Sequence, residues 1–188
     1  MDDGIAVALL AAGSGRRFGG EKLDQDLGGR PVGCWAAALA ESLGFSRRVV
    51  VTPPAQPAFV GHLTGWERVV NSDHETGLAS SIRAAATAAS GAHRLVILLA
   101  DMPFVERANI DELALSEGVA FTLYPDGNRG VPSAFPADLL PTLATLPDGE
   151  NLSRKDWQTD VTVIEPASQR ALWDIDTLDD LKIARASL

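Results

Sequence analysis

The chain has 188 residues, of which 46% are hydrophobic and 22% charged, and this globular composition excludes the disordered and fibrous classes. Its longest apolar runs are strand-length, far short of the roughly 20 residues that span a bilayer, which excludes a membrane-spanning protein. A formal net charge of -9 argues against general binding to the phosphates of nucleic acids, so any anionic ligand must be captured locally.

Apolar runs and Ala-rich stretches alternate along the first half of the chain. Continuous apolar sequence at residues 5–12, 48–52 and 94–100 predicts strands that are buried on both faces, as in a parallel sheet. Residues 34–43 and 78–89 lie between them and have helical spacing. This alternation predicts a doubly wound α/β sheet.

The second half of the chain is more often interrupted by Pro and Gly. Residues 119–124 and 161–164 predict strands, and residues 137–146 and 178–186 predict helices. With neither an internal repeat nor an obvious linker in the sequence, we predict one domain over residues 1–188.

Two features bear on the cellular compartment. The chain has one cysteine, Cys34, which cannot form an internal disulfide, and its Met-Asp-Asp-Gly start lacks the positive region of a secretory signal. We therefore expect a cytoplasmic protein. Cys34 lies in an apolar helical run, which predicts a small buried side chain rather than a nucleophile.

The segment after the first predicted strand, Gly13-Ser-Gly-Arg-Arg-Phe-Gly-Gly-Glu-Lys22, holds four glycines and three basic residues. Glycines let backbone N–H groups approach phosphate oxygens and the basic side chains neutralise charge, so the segment is a candidate anion site. It fits neither the dinucleotide fingerprint, which needs Gly at Phe18, nor the P-loop, which needs Lys at Glu21. The structural alternative is a Gly-rich connection with solvated basic side chains.

Acidic residues supply a second signal. Asp101 follows the apolar run at 94–100, and ligands of open α/β sheets bind beyond the carboxyl ends of the strands, next to the Gly-rich segment. One carboxylate there can hold Mg²⁺ together with substrate phosphates. The alternative role for Asp101 is a turn or helix cap. Asp174 and Asp176 are two residues apart, and either is a candidate for the second metal ligand.

Helix capping accounts for other polar residues. Thr177 followed by Asp180 predicts a helix N-cap with an acid in the first turn. A polar loop at residues 70–83 enters the second Ala-rich helix, where Gly77 and the neighbouring serines offer hydrogen bonds to a base or phosphate. A capped helix start explains that loop equally well.

Several motifs together resemble a known family. Their order along the chain is similar to that in nucleotidyltransferases of the molybdenum cofactor cytidylyltransferase type, the MobA-like NTP transferases; the motifs are Leu10-Ala-Ala-Gly-Ser-Gly-Arg-Arg-Phe-Gly-Gly-Glu-Lys22, Leu27-Gly-Gly-Arg-Pro-Val32, the 71–81 loop, Leu99-Ala-Asp-Met-Pro103, Gly130-Val-Pro132 and Asp174-Ile-Asp-Thr177. The resemblance covers nearly the whole chain. It implies a Rossmann-like three-layer α/β sandwich with a mostly parallel sheet and one reversed strand.

The resemblance also implies roles for particular residues. It makes Arg16, Lys22 and Asp101 catalytic and gives Asp101 and Asp176 a bound Mg²⁺. The nucleotide-binding residues that it implies are Leu10, Ala11, Ala12, Gly13, Ser14, Gly15, Lys22, Asn71, Gly77, Ser80 and Ser81. Arg16 and Lys22 would hold the triphosphate, and residues 77–81 would touch the base.

The implied reaction moves CMP from CTP to a phosphorylated acceptor, molybdopterin, and releases pyrophosphate. The Leu-Ala-Ala-Gly13 sequence favours CTP over GTP, because related guanylyltransferases commonly have Leu-Ala-Gly-Gly. A molybdoenzyme or its maturation chaperone would be the protein partner. This chain has Pro147-Asp-Gly-Glu-Asn-Leu-Ser-Arg154 where such cytidylyltransferases usually have Gly-Asp-x-Gly-Ala-Arg, and Asp24 where they have an apolar residue. Two alternatives stay open: transfer from GTP or another NTP to a different acceptor, and a catalytically silent nucleotide- or cofactor-binding module.

Overall fold

A seven-stranded sheet forms the centre of the molecule. The structure, a computed structural model, describes residues 4–13, 15 and 17–188. Its strands are β1 (Ile5–Leu10), β2 (Asp26–Leu27), β3 (Arg30–Pro31), β4 (Arg47–Thr52), β5 (Glu67–Val70), β6 (Arg94–Leu99), β7 (Val119–Leu123), β8 (Arg129–Pro136) and β9 (Val161–Ile164). The large sheet has the order β5-β4-β1-β6-β8-β7-β9, and β2 and β3 pair separately. Strand β8 is antiparallel to both neighbours, whereas the other pairs in the large sheet are parallel.

Helices cover both faces of this sheet. They are α1 (Gly33–Leu43), α2 (Leu78–Ala88), α3 (Arg107–Leu115), α4 (Leu140–Leu143) and α5 (Leu178–Ala186). Short 3₁₀ helices lie at Lys22–Asp24, Ala58–His62, His74–Thr76, Ala137–Leu139 and Gln169–Leu172. Among the residues described, no helix combines the length and the apolar character needed to cross a membrane.

Two hydrophobic cores lie on opposite faces of the sheet. Side chains of β1 alternate between them: Val7 and Leu9 join the core under α1, α3 and α5, and Ala8 joins the core under α2 and α4. This two-sided burial explains why the first strand is apolar at every position rather than at every second one. The predicted three-layer α/β sandwich with one reversed strand is therefore confirmed.

Three of the longer elements, β5, β8 and α3, are not predicted from the sequence, and neither are the two-residue strands β2 and β3. Strand β5 has four residues at the sheet edge and is only partly buried, so its apolar pattern is weak. Strand β8 contains Pro132, and a proline inside a run argues against a central strand. Helix α3 mixes charged residues into its apolar spacing. The helix predicted over 137–146 is shorter, a 3₁₀ turn followed by the single turn of α4.

A buried arginine ties α3 to the start of β6. Arg94 is 5% exposed, and its guanidinium donates to the carbonyls of Leu113 (2.9 Å), Glu117 (3.2 Å) and Gly118 (2.9 Å). Burial lowers the pKa of Arg94 to about 10. These carbonyls lie in the last turn of α3 or just beyond it. The dipole of the helix stabilises a cation at this end as well.

Replacing Arg94 by methionine should lower the free energy of unfolding by about 2–4 kcal/mol, because three carbonyl groups lose a charged donor in a buried place. Urea unfolding followed by circular dichroism measures this. The exposed Arg107→Met variant on α3 is the control and should lose less than about 1 kcal/mol. Equal losses in the two variants would contradict the role given to Arg94.

Candidate active site

The carboxyl ends of the parallel strands meet at one edge of the sheet. Leu10, the last residue of β1, lies opposite Val51 of β4 and Leu99 of β6. The Gly-rich segment and Asp101 therefore leave the sheet side by side, as the sequence predicts. In open α/β sheets this edge is where ligands bind.

The Gly-rich segment is anchored by a phenylalanine. Phe18 is 7% exposed and packs in the core beneath α1, although its neighbours Gly19 and Gly20 are exposed. Gly15 has a φ of +54°, a left-handed conformation that favours glycine, and its carbonyl accepts from the amides of Phe18 (3.0 Å) and Gly19 (3.3 Å). Ser14 and Arg16, which the family resemblance implicates, lie outside the described residues.

Lys22 lies between two carboxylates. Its Nζ donates to Asp101 Oδ2 at 2.7 Å and to Asp176 Oδ1 at 3.0 Å, and its side chain is only 10% exposed. Arg17, at the surface, donates to the other oxygen of Asp176 at 2.8 Å. The structure thus brings together three residues that the sequence analysis placed in the site, Lys22, Asp101 and Asp176, and adds Arg17.

The carboxylates hold Lys22 in its charged form. Burial acts to lower the pKa of this ammonium, but the charges of Asp101 and Asp176 and the hydrogen bonds to them outweigh it, so the pKa lies above its ordinary value. Lys22 is therefore a permanent cation at neutral pH, available to an anionic ligand but not as a proton donor or acceptor.

Backbone contacts bring the second acidic segment to Asp101. The amide of Ile175 donates to the Asp101 carbonyl at 2.9 Å. The predicted capping box is present: the Thr177 hydroxyl accepts from the Asp180 amide (3.1 Å), and the Asp180 carboxylate accepts from the amides of Thr177 (2.6 Å) and Asp176 (3.1 Å). Capping fixes the backbone at Asp176 and so aims its side chain at Lys22.

Asp174 is the third carboxyl group at this edge. Burial and then the neighbouring charge of Asp176 raise its pKa, with a further contribution from Asp101. Three carboxylates thus face two cations, Lys22 and Arg17. Of the two candidates for the second metal ligand, Asp176 is the one that shares Lys22 with Asp101.

The donor set fits a hard divalent cation. Asp101 Oδ1 is buried and has no hydrogen-bond partner among the described residues, so one carboxylate oxygen at the centre of the cluster is left unsatisfied. Mg²⁺ needs only one or two carboxylates and takes its other ligands from water and phosphates. No group of three or more His, Cys, Asp or Glu ligands occurs in the part of the chain that the structure describes.

The 71–81 loop is held by buried polar side chains. Asn71 Nδ2 donates to the hydroxyls of Ser80 (2.8 Å) and Ser81 (3.1 Å), and all three residues are at most 5% exposed. Asn71 also extends the sheet edge, since its amide donates to the Thr52 carbonyl at 2.8 Å. The two serine hydroxyls therefore face Asn71, whereas the exposed Gly77, with a φ of +113°, lies at the start of α2.

Replacing Asn71 by alanine should lower the free energy of unfolding by about 1–3 kcal/mol, because two buried hydroxyls lose their donor. Asn128 is exposed in the β7–β8 turn, and Asn128→Ala is the matched control, with an expected change of about 0.5 kcal/mol or less. Urea denaturation of both variants tests this, and no difference between them would refute the structural role of Asn71.

A cleft of about 210 Å³ opens beside Lys22. One wall is the Gly-rich segment and the other is the Pro-rich segment after β4; the lining residues are Ala11, Gly13, Gly15, Gly20, Glu21, Lys22, Leu23, Asp24, Pro53, Ala55, Gln56 and Pro57. Leu10 and Ala12, which the family resemblance assigns to nucleotide binding, are buried and are not among the lining residues. In the sequence, the prolines of the 53–57 segment indicate only a turn and carry no signal of a binding wall.

A second cleft, of about 350 Å³, lies between the start of α2, the start of β8 and residues 149–153. Arg129 forms part of it and is fixed in place, since its Nε donates to the Ser153 carbonyl at 2.6 Å and its guanidinium lies over the Phe121 ring. The segment that departs from the family pattern therefore lines a cavity. Asn151 and Leu152 belong to that lining.

Comparison with known proteins identifies similar sequences. The family model for the MobA-like NTP transferase domain matches residues 7–160. The bifunctional protein GlmU of Hyphomonas neptunium is 33% identical over 114 residues, which are 57% of this chain and 25% of that protein. Nicotine blue oxidoreductase of Paenarthrobacter nicotinovorans is 27% identical over 195 residues, with 94% of each chain covered. This chain thus spans a quarter of GlmU and nearly all of the second relative.

Solved structures share the fold. A nucleotidyl transferase from Methanothermobacter thermautotroptrophicus superposes with a TM-score of 0.83 at 22% identity and covers 99% of this chain and 98% of its own. Rv0371C of Mycobacterium tuberculosis in complex with manganese superposes with a TM-score of 0.73 at 24% identity, and the match covers 98% of this chain and 99% of Rv0371C. The 2-C-methyl-D-erythritol 4-phosphate cytidylyltransferase of Thermus thermophilus superposes with a TM-score of 0.69 at 20% identity, and the match covers 97% of each chain.

Proposed function

Because this chain belongs to the MobA-like NTP transferase family, we propose that it is a Mg²⁺-dependent nucleotidyltransferase that moves CMP from CTP to a phosphorylated acceptor, molybdopterin. The observation that carries the proposal is the position of Lys22 between Asp101 and Asp176, beside a Gly-lined cleft. This arrangement offers a fixed cation and a carboxylate pair at the sheet edge where ligands bind.

The glycine segment and Lys22 bind the triphosphate in this proposal. Gly13 and Gly15 line the cleft and have no side chains to keep phosphate oxygens from the backbone, and the Lys22 ammonium would neutralise phosphate charge. Arg16 is proposed to share that task, and the exposed Gly77 at the start of α2 to contact the base. With the nucleotide bound, the Lys22 ammonium would pair with phosphate oxygens, and the divalent cation would neutralise Asp101 and Asp176 in its place.

Asp101 and Asp176 would hold the divalent cation. When bound, Mg²⁺ supplies charge neutralisation between the carboxylates and the phosphates and stabilises the negative charge of the transition state. Rv0371C, which shares the fold, has been solved with manganese, and this supports a divalent cation in the present site. The unsatisfied Asp101 Oδ1 is the second support.

The reaction needs no nucleophilic side chain. An oxygen of the acceptor phosphate forms a bond to the α-phosphorus of CTP while the bond from that phosphorus to the bridging oxygen breaks, and pyrophosphate leaves with the electron pair. The acceptor phosphate is already an anion at neutral pH, so no general base is required. Lys22 and the amides of the glycine segment stabilise the charge on the leaving pyrophosphate.

Further observations bear on the nucleotide and on the acceptor. The Leu-Ala-Ala-Gly13 sequence and a cytidylyltransferase among the proteins of like fold both favour CTP. The second cleft, with residues 149–153 in its wall, is the proposed acceptor site. The free, buried Cys34 agrees with the proposed cytoplasmic location, and a molybdoenzyme or its maturation chaperone is the proposed protein partner.

A screen of four NTPs against molybdopterin and small phosphorylated acceptors tests the proposal, with pyrophosphate release as the readout. We expect release with CTP, Mg²⁺ and molybdopterin together and none when any one is omitted. Release with GTP and a sugar or lactate phosphate instead would establish the alternative transferase.

A second candidate function is nucleotide or cofactor binding without transfer. One observation favours it: the relative whose match covers 94% of each chain is called nicotine blue oxidoreductase, a name that refers to no nucleotidyl transfer. This candidate predicts calorimetric binding of an NTP but no pyrophosphate with any acceptor. Lys22, Asp101 and Asp176 remain together in this chain, which is why transfer is the preferred proposal.

A further inference from the structure

The Pro-rich wall of the first cleft is held by an aspartate that belongs to the opposite wall. Asp24 lies two residues after Lys22, in the same 3₁₀ turn. Its Oδ1 accepts from the Phe59 amide at 2.6 Å and its Oδ2 from the Ala58 amide at 3.0 Å. Both amides lie at the start of the Ala58–His62 3₁₀ helix, directly after the wall segment 53–57.

Two further contacts fix this wall. Phe59 is fully buried against Gly33, where an added Cβ would lie 2.7 Å from its ring. At the other end, Arg68 of β5 donates from Nε to the Thr52 hydroxyl (2.9 Å) and from its terminal nitrogen to the carbonyls of Pro53 (3.1 Å) and Pro54 (3.0 Å). The wall segment is thus anchored at each end, and Asp24 is the anchor that comes from the side of Lys22.

We propose that Asp24 is a positioning residue for the nucleotide: by holding the amides of Ala58 and Phe59, it keeps the 53–57 wall at the distance from the Gly-rich segment that the nucleotide requires. This inference rests on the proposed function, since it assumes that the nucleotide occupies this cleft. Asp24 links the two walls through its backbone position and its side chain, so movement of one wall is coupled to the other.

A charged carboxylate is well suited to this task. Hydrogen bonds from backbone amides to an ionised acceptor are stronger than those to a neutral one, and one carboxylate accepts both amides. A wall fixed before binding spares the nucleotide the entropy of ordering it. Asp24 therefore affects nucleotide affinity, whereas the contacts of Lys22 with Asp101 and Asp176 do not involve it.

Calorimetric titration with CTP and Mg²⁺ tests the proposal on three variants. We expect Asp24→Ala to raise the Kd for CTP about tenfold and Asp24→Asn, which keeps one neutral acceptor, about threefold. In the transfer assay, KM for CTP should rise by the same factors and kcat should stay within about twofold. Asp26→Asn is the matched control, because the Asp26 side chain is exposed and makes no hydrogen bond in the described part of the chain; it should match the wild type.

Amide hydrogen exchange gives a readout that needs no ligand. Exchange at Ala58 and Phe59 should be faster in Asp24→Asn than in Asp26→Asn, while exchange in β1 stays unchanged. If Asp24→Ala fails to fold, Asp24→Asn carries the test. A wild-type Kd, or a lower kcat at unchanged KM, in a folded Asp24 variant would overturn the inference. Wild-type protein that binds CTP but releases no pyrophosphate would overturn the proposed function alone, and wild-type protein that does not bind CTP would overturn both.

Discussion

Replacement of Asp101 by asparagine is expected to lower the rate of pyrophosphate release about 10²–10³-fold and to leave the fold intact. The carboxylate holds Lys22 at 2.7 Å through one oxygen, and its other oxygen is buried without a hydrogen-bond partner among the described residues. Removing its charge takes away several kcal/mol of stabilisation of the transition-state charge, and each 1.36 kcal/mol is worth a factor of about ten. Steady-state pyrophosphate release with CTP, Mg²⁺ and acceptor measures this.

Asp138→Asn is the matched control for Asp101. Asp138 is exposed and follows β8, whose last residue lies opposite Arg94 at the start of β6, so it sits at the other edge of the sheet. Its turnover should equal that of the wild type. Near-normal turnover of a folded Asp101→Asn variant would remove Asp101 from the mechanism.

Replacement of Lys22 by methionine should separate two properties of the site. Turnover should fall about 10²-fold, because a buried charge that pairs with phosphate is lost. Binding of Mn²⁺ without nucleotide should become about tenfold tighter, since the ammonium that now neutralises Asp101 and Asp176 no longer competes for them. Calorimetry with Mn²⁺ alone measures the second effect.

Lys182→Met provides the comparison for Lys22. Lys182 pairs at the surface with Asp179, and the two side chains are 73% and 81% exposed, so this variant should leave turnover and Mn²⁺ affinity unchanged. A Lys22→Met protein with wild-type turnover would contradict the proposed role, and weaker Mn²⁺ binding would show that the carboxylates hold the cation together with Lys22 rather than in its place.

The sequence predicts that this site lies at the carboxyl edge of the sheet, because the pattern that identifies each strand lies next to the site residues along the chain. A two-sided apolar run predicts a buried parallel strand, and the chain beyond it must emerge at the carboxyl edge. The positions of Gly13, Lys22 and Asp101 along the chain are therefore sufficient to place them at one edge. The capping box of Thr177 and Asp180 is a four-residue pattern and is equally accessible to sequence reasoning.

Contacts between distant segments could not be predicted in this way. Asp24 departs visibly from the family pattern, but its partners lie 34 and 35 residues further along the chain, and only the fold brings them together. The same holds for Arg17 and Asp176, which are 159 residues apart. Strand β8 could not be predicted because Pro132 argues against a central strand, and because its place in the sheet follows from pairing with β6 and β7.

The fate of the α-phosphorus of CTP tests the central claim most directly. CTP labelled at that atom is incubated with the protein, Mg²⁺ and molybdopterin, and the products are separated. Nucleotidyl transfer predicts that the label appears in the acceptor product and that one pyrophosphate is released per labelled product. Label that stays in CTP, or that leaves as free CMP, would contradict the account.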